Sequence, residues 1–192
     1  MRAEPIELVT PRLKLRRAGP GDLMDLHAVL SDRKAMRYWS TPPHANLEQT
    51  RVMLAGMIDA SADEADDFVV ELGGRVIGKA GCWKLPEIGY ILHPDCWGQG
   101  LAHEAVSAAI EHVFAAHAIS AIAADVDPRN AASLRLLARL GFVETGRATG
   151  TVEVAGEVCD SVYLALSRDA WPRPLALSLA GSPAGPDRGG AG

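Results

Sequence analysis

The chain has 192 residues, a formal charge of −5, 48% hydrophobic residues and 22% charged ones. That length suits one domain burying roughly 70% of its unfolded surface, and the acidic balance, with arginines scattered rather than clustered, excludes the basic face of a nucleic-acid-binding module. The N-terminus lacks the apolar stretch of a signal peptide and no apolar run approaches the ~20 residues of a membrane span. The three cysteines, Cys82, Cys96 and Cys159, are odd in number and unspaced for zinc, which predicts reduced thiols in a soluble cytoplasmic protein with no membrane or metal partner.

In chain order, Leu13 to Arg17 alternates apolar with basic residues and predicts a first strand. Pro20-Gly21-Asp22 opens a helix carrying Leu23, Leu26, Val29 and Leu30 on one side, and Asn46 caps a second with Leu47, Val52, Leu54 and Ile58. The intervening loop, Met36 to His44, is rich in aromatic and turn residues. Asp59 to Asp67 holds five acids in nine residues, a composition expected of a solvated loop or of a lure for a cationic ligand. Phe68–Leu72 and Arg75–Gly81 form a hairpin around Gly73-Gly74, which supplies the positive φ of a tight turn, and a strand follows over Glu87–Leu92.

From Gly100 to His117, apolar residues recur as Ala102, Ala105, Val106, Ala109, Ile110, Val113 and Phe114, a continuous helical stripe that must pack on a sheet. The strand Ala121–Val126 comes next, and the long helix before it implies a parallel crossover from the strand ending at Leu92. A helix over Asn130–Leu140 stops at Gly141. Phe142–Val154 and Val158–Leu166 then pair around Ala155-Gly156-Glu157. The segment 172–192 has four prolines and five glycines, too many to sustain an element, and is expected to be a tail on a single domain spanning 1–171.

Two segments carry chemistry. Tyr90-Ile-Leu-His-Pro-Asp-Cys-Trp-Gly-Gln-Gly-Leu-Ala-His-Glu-Ala105 runs from a strand through a glycine turn into a helix, so unclaimed backbone N–H groups and a positive helix end face one point, where a phosphorylated ligand would dock. Neither a dinucleotide fingerprint nor a triphosphate loop fits, because position 103 is His103 and no Gly-Lys-Ser/Thr ending exists. The pattern Pro94-x-x-Trp97-Gly98-x-Gly100-x-Ala102-x-Glu104-Ala105 does resemble the acyl-CoA pyrophosphate loop of the GCN5-related N-acetyltransferases (GNAT), in the form of the RimJ/RimL-like ribosomal-protein branch. The second segment, Asn130-x-x-Ser133 through Leu137, Arg139, Gly141 and Phe142, is similar to that family's strand-exit and helix motif, with Arg139 where Lys is frequent.

The resemblance implies an α/β GNAT fold, a mixed central sheet of about seven strands with helices on both faces, and an acetyl-CoA-dependent transfer to an amine. Pyrophosphate would lie on the N–H groups of Trp97, Gly98, Gln99, Gly100, Leu101 and Ala102, with Arg139 nearby, and the oxyanion would meet backbone N–H around Ile91 and Leu92. Asn130 would bond the pantetheine arm, and Ser133 would stand near the thiol as proton donor, since the tyrosine many relatives carry further along that helix is replaced by Leu136 and Leu137. Glu87 would act as base, and Tyr38, Trp39 and Trp83 would line the acceptor pocket with it. Without the resemblance, Asn130 reads first as a helix cap, Glu87 reads also as an exposed turn residue after Pro86, and the six histidines read as surface groups without metal spacing. Cys96 has no ordered His/Asp partner for a covalent mechanism. The acceptor would be a protein N-terminus or small-molecule amine, on a monomer or homodimer; the other class of function open is a non-catalytic acyl-CoA-binding domain.

Overall fold

The structure, a computed structural model, describes residues 6–172; the tail expected over 172–192 lies, beyond Pro172, outside the described residues. In chain order the elements are β1 (Glu7–Val9), β2 (Leu13–Arg16), α1 (Leu23–Leu30), α2 (Leu47–Asp59), β3 (Asp66–Leu72), β4 (Arg75–Lys84), β5 (Glu87–Leu92), α3 (Leu101–Ala116), β6 (Ala121–Val126), α4 (Ala131–Arg139), β7 (Val143–Val154) and β8 (Glu157–Ser167). Single 3₁₀ turns over Pro20–Asp22, Ala35–Tyr38, Pro94–Cys96 and Arg168–Ala170 connect them. The strands form one sheet of eight in the order β1-β2-β3-β4-β5-β6-β8-β7. The strand beyond the expected seven is β1, which pairs antiparallel with β2 through Glu7↔Arg16 and Val9↔Lys14.

Each sheet face buries its own core. On one, α3 lays Ala105, Val106, Ala109, Ile110, Val113 and Phe114 against Phe68, Val70, Ala80, Ile88 and Leu92, the stripe that its sequence period requires. On the other, α1 and α2 bring Leu26, Val29, Leu30, Leu54 and Met57 onto Val69, Val76 and Ile91. Covered on both sides, β4 is apolar or glycine along most of its length. Gly78 cannot be replaced there without movement, since a Cβ would sit 2.0 Å from the Ile91 carbonyl oxygen. Helix ends follow local chemistry: Asn46 Oδ1 accepts from Gln49 N–H at 3.1 Å to start α2, and Gly141 takes the left-handed φ of 92° that ends α4.

The one parallel contact, β5 with β6, consists of a single bridge, Glu87↔Ala123, made by Ala123 N–H to Pro86 O at 3.0 Å. Beyond it the strands part, whereas β6 stays fully paired with β8 from Ala121↔Ser167 to Val126↔Val162. The sheet is thus split along the C-terminal part of β5.

Two expectations about polar residues change. The acid run ends inside the protein: Asp66 and Asp67 open β3 at 1% and 5% exposure, because strand pairing draws them under α2 and α3, where cations meet them. Asp66 is held by Arg17 and by His117 Nε2 at 2.6 Å, with His112 Nε2 3.1 Å away. Asp67 pairs with the buried Lys79 at 2.5 Å. The histidines are likewise not all surface groups, since His27 and His44 share the buried Thr50 hydroxyl at 2.7 and 2.9 Å.

Candidate active site

The turn between β5 and α3 has the backbone an anion needs. Gly98 and Gly100 adopt φ of 73° and 77°, a left-handed conformation that glycine alone enters without strain. The first helical bond of α3 is Glu104 N–H to Gly100 O, so the amides from Gly98 to His103 have no acceptor among the described residues and converge at the positive end of a 16-residue helix. Trp97 shuts the turn behind them, its indole Nε1 donating to Leu92 O at 2.9 Å.

From the other side the turn is strapped by the β1–β2 corner. Glu104 accepts from Thr10 Oγ1 at 2.6 Å, from Arg12 N–H at 2.9 Å and from Arg12 Nε at 2.7 Å, and Arg12 also donates to Gln99 O at 2.7 Å. Burial would raise the Glu104 carboxyl, but these bonds and the guanidinium charge hold it below the ordinary carboxylate value.

A groove of about 810 Å³ runs from this turn along the split in the sheet. Ile91, Leu92, Trp97, Gly98, Gly100, Leu101 and Ala102 line it on the β5–α3 side, and Asn130, Ser133 and Arg139 on the α4 side. Gln99 does not: its amide Nε2 is bonded to Asp95 O at 2.9 Å, outside the groove. Lys34, Arg37 and Arg135 join Arg139 in the lining, with His103 beside them, so the lysine and arginines place cationic side chains beside the free amides.

Strand parity decides which backbone groups face the split. Pro86 O points toward β6, so Ile88, Tyr90 and Leu92 direct N–H and C=O that way, while Gly89 and Ile91 direct theirs at β4. The Ile91 carbonyl beside Gly78 agrees. The N–H donors available at the split are therefore those of Tyr90 and Leu92; the Ile91 amide, expected there, is used by the β4 pairing Lys79↔Ile91.

A second cavity, of about 580 Å³, opens on the α1/α2 face of the same split. Glu87, Trp39, Trp83 and Tyr38 all line it, as expected. Gly89 forms part of the floor, its missing side chain leaving room under both indoles: a Cβ there would lie 3.4 Å from Trp83 and 3.9 Å from Trp39. The buried Asp67–Lys79 pair sits below, with Lys79 Nζ 5.5 Å from the Trp39 ring centroid and Asp67 Oδ1 unpartnered. Arg37, Tyr38 and Trp39 line both cavities, so the 3₁₀ turn and its exit form the wall between them. Glu87, Asp125 and Asp160 carry no ion pair among the described residues and outnumber Arg37, the lining cation that is likewise without one, which leaves the second cavity net negative.

On α4, Asn130 Oδ1 accepts from Ser133 N–H at 3.1 Å, which is the cap geometry, and Asn130 lines the groove at the same time. The Ser133 hydroxyl lies 2.6 Å from the Tyr90 hydroxyl of β5. Sequence reasoning missed Tyr90, Arg37, Arg135 and Asp67. For Tyr90 a signal existed, since it shares parity with Ile88 and Leu92; nothing local points to the rest. Cys82, Cys96 and Cys159 are free thiols, and burial pushes Cys82 up to about 12. No helix among the described residues is long and apolar enough to cross a membrane.

A sequence profile of the acetyltransferase (GNAT) domain matches residues 12–143. The N-acetyltransferase p20 of Bacillus licheniformis is 32% identical over 166 residues, covering 82% of this chain and 93% of the relative. The spermidine N(1)-acetyltransferase of Escherichia coli is 26% identical over 165 residues, covering 80% and 85%. The structure of RimL, a ribosomal L7/L12 alpha-N-protein acetyltransferase in complex with coenzyme A, shares the fold at a TM-score of 0.76 and 22% identity, over 86% of this chain and 99% of that one. A domain profile running from β2 to the start of β7, together with a relative this similar along most of both chains, places the chain in the GNAT acetyltransferase family, as an N-acetyltransferase.

Proposed function

We propose that the chain transfers an acetyl group from acetyl-CoA to a primary amine by direct attack in a ternary complex. The observation that carries this is the pair of cavities meeting across the split between β5 and β6, one lined by free amides and cations, the other by Glu87 and aromatic rings. Acetyl-CoA fits the first: pyrophosphate on the amides from Gly98 to Ala102, phosphate charge near Arg135 and Arg139, and the pantetheine arm past Asn130 toward Ser133. The thioester carbonyl would then stand at the split, where the N–H of Tyr90 or Leu92 can stabilise developing negative charge.

The acceptor enters from the Trp39/Trp83 side. An α-amino group titrates near 7.7 to 8.0 and an alkylamine near 10.4, so it arrives as a cation, attracted by the negative lining. Glu87 takes the proton, directly or through water, before nitrogen attacks. Relatives named for spermidine and for a ribosomal protein N-terminus support both acceptor types, a small-molecule amine and a protein α-amine.

The test is thiol release from acetyl-CoA across an amine panel including polyamines and N-terminal peptides, with CoA binding measured by calorimetry. Turnover that falls about 10²- to 10⁴-fold in Glu87→Gln while CoA affinity persists supports the base. CoA binding without turnover on any amine would leave a non-catalytic acyl-CoA-binding domain in its place.

A further inference from the structure

We propose that Tyr90 is a positioning residue for acyl transfer: its hydroxyl donates to Ser133 Oγ, which leaves the serine's own proton free to point at the departing thiolate. This rests on the reading above that places Ser133 at the thiol end of the groove.

The two hydroxyls come from elements far apart in sequence, β5 and α4, and meet at 2.6 Å across the split. Both residues line the cofactor groove. A serine hydroxyl has one proton and two acceptor lone pairs. If Ser133 gives its proton to Tyr90, none remains for sulfur; if Tyr90 gives its proton to Ser133, the serine proton is available. The environment selects the second arrangement. Burial pushes the Tyr90 phenol up to about 12, against a smaller downward pull from Ser133, so the phenol keeps its proton, and with Ser133 Oγ as the acceptor in reach that proton is satisfied only in the second arrangement. No other partner for the Tyr90 hydroxyl exists among the described residues. The Ser133 backbone is already fixed by its N–H bond to Asn130 Oδ1, which leaves the hydroxyl rotor as the freedom that Tyr90 removes.

Tyr90 does not lose its proton to the thiolate, because a phenol near 12 is a weaker acid than a thiol near 8.5. When the C–S bond breaks, its electron pair stays on sulfur, and the chain Tyr90 O–H to Ser133 O–H to sulfur stabilises that charge, each bond polarising the next. From ammonium to amide the nitrogen loses two protons, one to Glu87 before attack and one as the tetrahedral adduct collapses. Sulfur leaves as a thiolate hydrogen-bonded to Ser133, and the second nitrogen proton matches the one it takes up in becoming the thiol, so both hydroxyls end the step protonated and no added acid is needed.

The experiment is a double-mutant cycle of Tyr90→Phe, Ser133→Ala and the double variant, reading kcat, KM for acetyl-CoA, CoA affinity by calorimetry and thermal unfolding. Tyr90→Phe retains the ring and deletes only the donor. It is expected to lower kcat about 3- to 10-fold, the worth of one hydrogen bond, with KM and CoA affinity within about twofold. Ser133→Ala is expected to lower kcat by at least 10-fold, and the double variant to be no slower than Ser133→Ala alone. An unchanged kcat in Tyr90→Phe beside an impaired Ser133→Ala overturns the role of Tyr90 and leaves that of Ser133 intact. Additive losses overturn it too, because Tyr90 would then act independently of the serine. Full activity in Ser133→Ala removes the reading on which the proposal rests, and the proposal with it.

Discussion

On the proposed function, the strap on the Gly98–Gly100 turn predicts that a residue outside the groove controls cofactor affinity. Glu104→Ala removes the acceptor of three bonds, from Thr10 Oγ1, Arg12 N–H and Arg12 Nε. At about 1 kcal/mol net for each, less what Thr10 recovers through its contacts with Leu13 and what Arg12 recovers from water, the loss of stability is about 2 kcal/mol. The ion-pair part is discounted because the Arg12 side chain is 47% exposed. For a domain of this size that corresponds to a fall in Tm of about 4–8 °C. Without Glu104 the Arg12 guanidinium loses its anchor and with it the grip on Gln99 O, so CoA affinity should fall about 10-fold, or 1.4 kcal/mol.

Urea unfolding and calorimetric titration of CoA measure both effects. Because the folded-state carboxyl lies below its unfolded value of about 4.3, its contribution is complete above that pH and fades as pH falls through the folded value. The stability gap between wild type and Glu104→Gln should narrow accordingly below about pH 4. A Glu104→Ala protein with unchanged Tm and unchanged CoA affinity refutes the strap.

Asn130→Ala should cost about 1 kcal/mol in urea unfolding, because Asn130 caps α4. If the side chain also bonds the pantetheine arm, CoA affinity drops as well, and an unchanged dissociation constant would leave the cap as its whole role. Asp66→Asn addresses acid stability: burial would raise Asp66, but His112, His117 and Arg17 together hold it below the ordinary value, so its contribution is present above about pH 3.9 and lost as pH falls through the folded value. The variant's stability should depend less steeply on pH over that range in acid-titrated unfolding. An identical acid limb would show that the histidines and Arg17 do not favour the ionised carboxylate.

What the sequence revealed depended on how local its cause was. Strands Glu87–Leu92 and Ala121–Val126 and the helix between them were legible because alternation and the 3.6-residue stripe act over neighbouring residues. So was the Gly98/Gly100 turn, whose glycines are required by the backbone itself. In contrast, β1 is three residues long, too short for a periodic signal, and exists by pairing with Lys14–Arg16. Asp66 and Asp67 looked like solvated acids because their partners, Arg17, Lys79, His112 and His117, are supplied by other places in the chain. The same holds for the second cavity, where Met53, Trp39, Glu87 and Asp160 converge from well-separated segments. Where the resemblance leads one to expect a tyrosine along α4, Leu136 and Leu137 stand instead, and the tyrosine hydroxyl beside Ser133 comes from β5.

The split between β5 and β6 costs hydrogen bonds that a continuous parallel ladder would have made, and among the described residues the chain recovers one of them, at Leu92 O. After the single bridge at Glu87, Tyr90 and Leu92 face the split without ladder partners on β6, and Leu92 O alone is claimed, by the Trp97 indole. Unpaired strand groups beside a groove resemble an open sheet edge, which pairs readily with any extended chain bearing amides. On the proposed function the pantetheine arm is such a chain, so the defect in the sheet becomes the means of holding the donor. It follows that donor and acceptor recognition are separable. The donor is read by backbone groups fixed by strand parity and by Gly98 and Gly100. On the same proposal the acceptor would be read by side chains on the opposite face, Trp39, Trp83, Glu87 and the Asp67–Lys79 floor, which can change without disturbing the turn or the split.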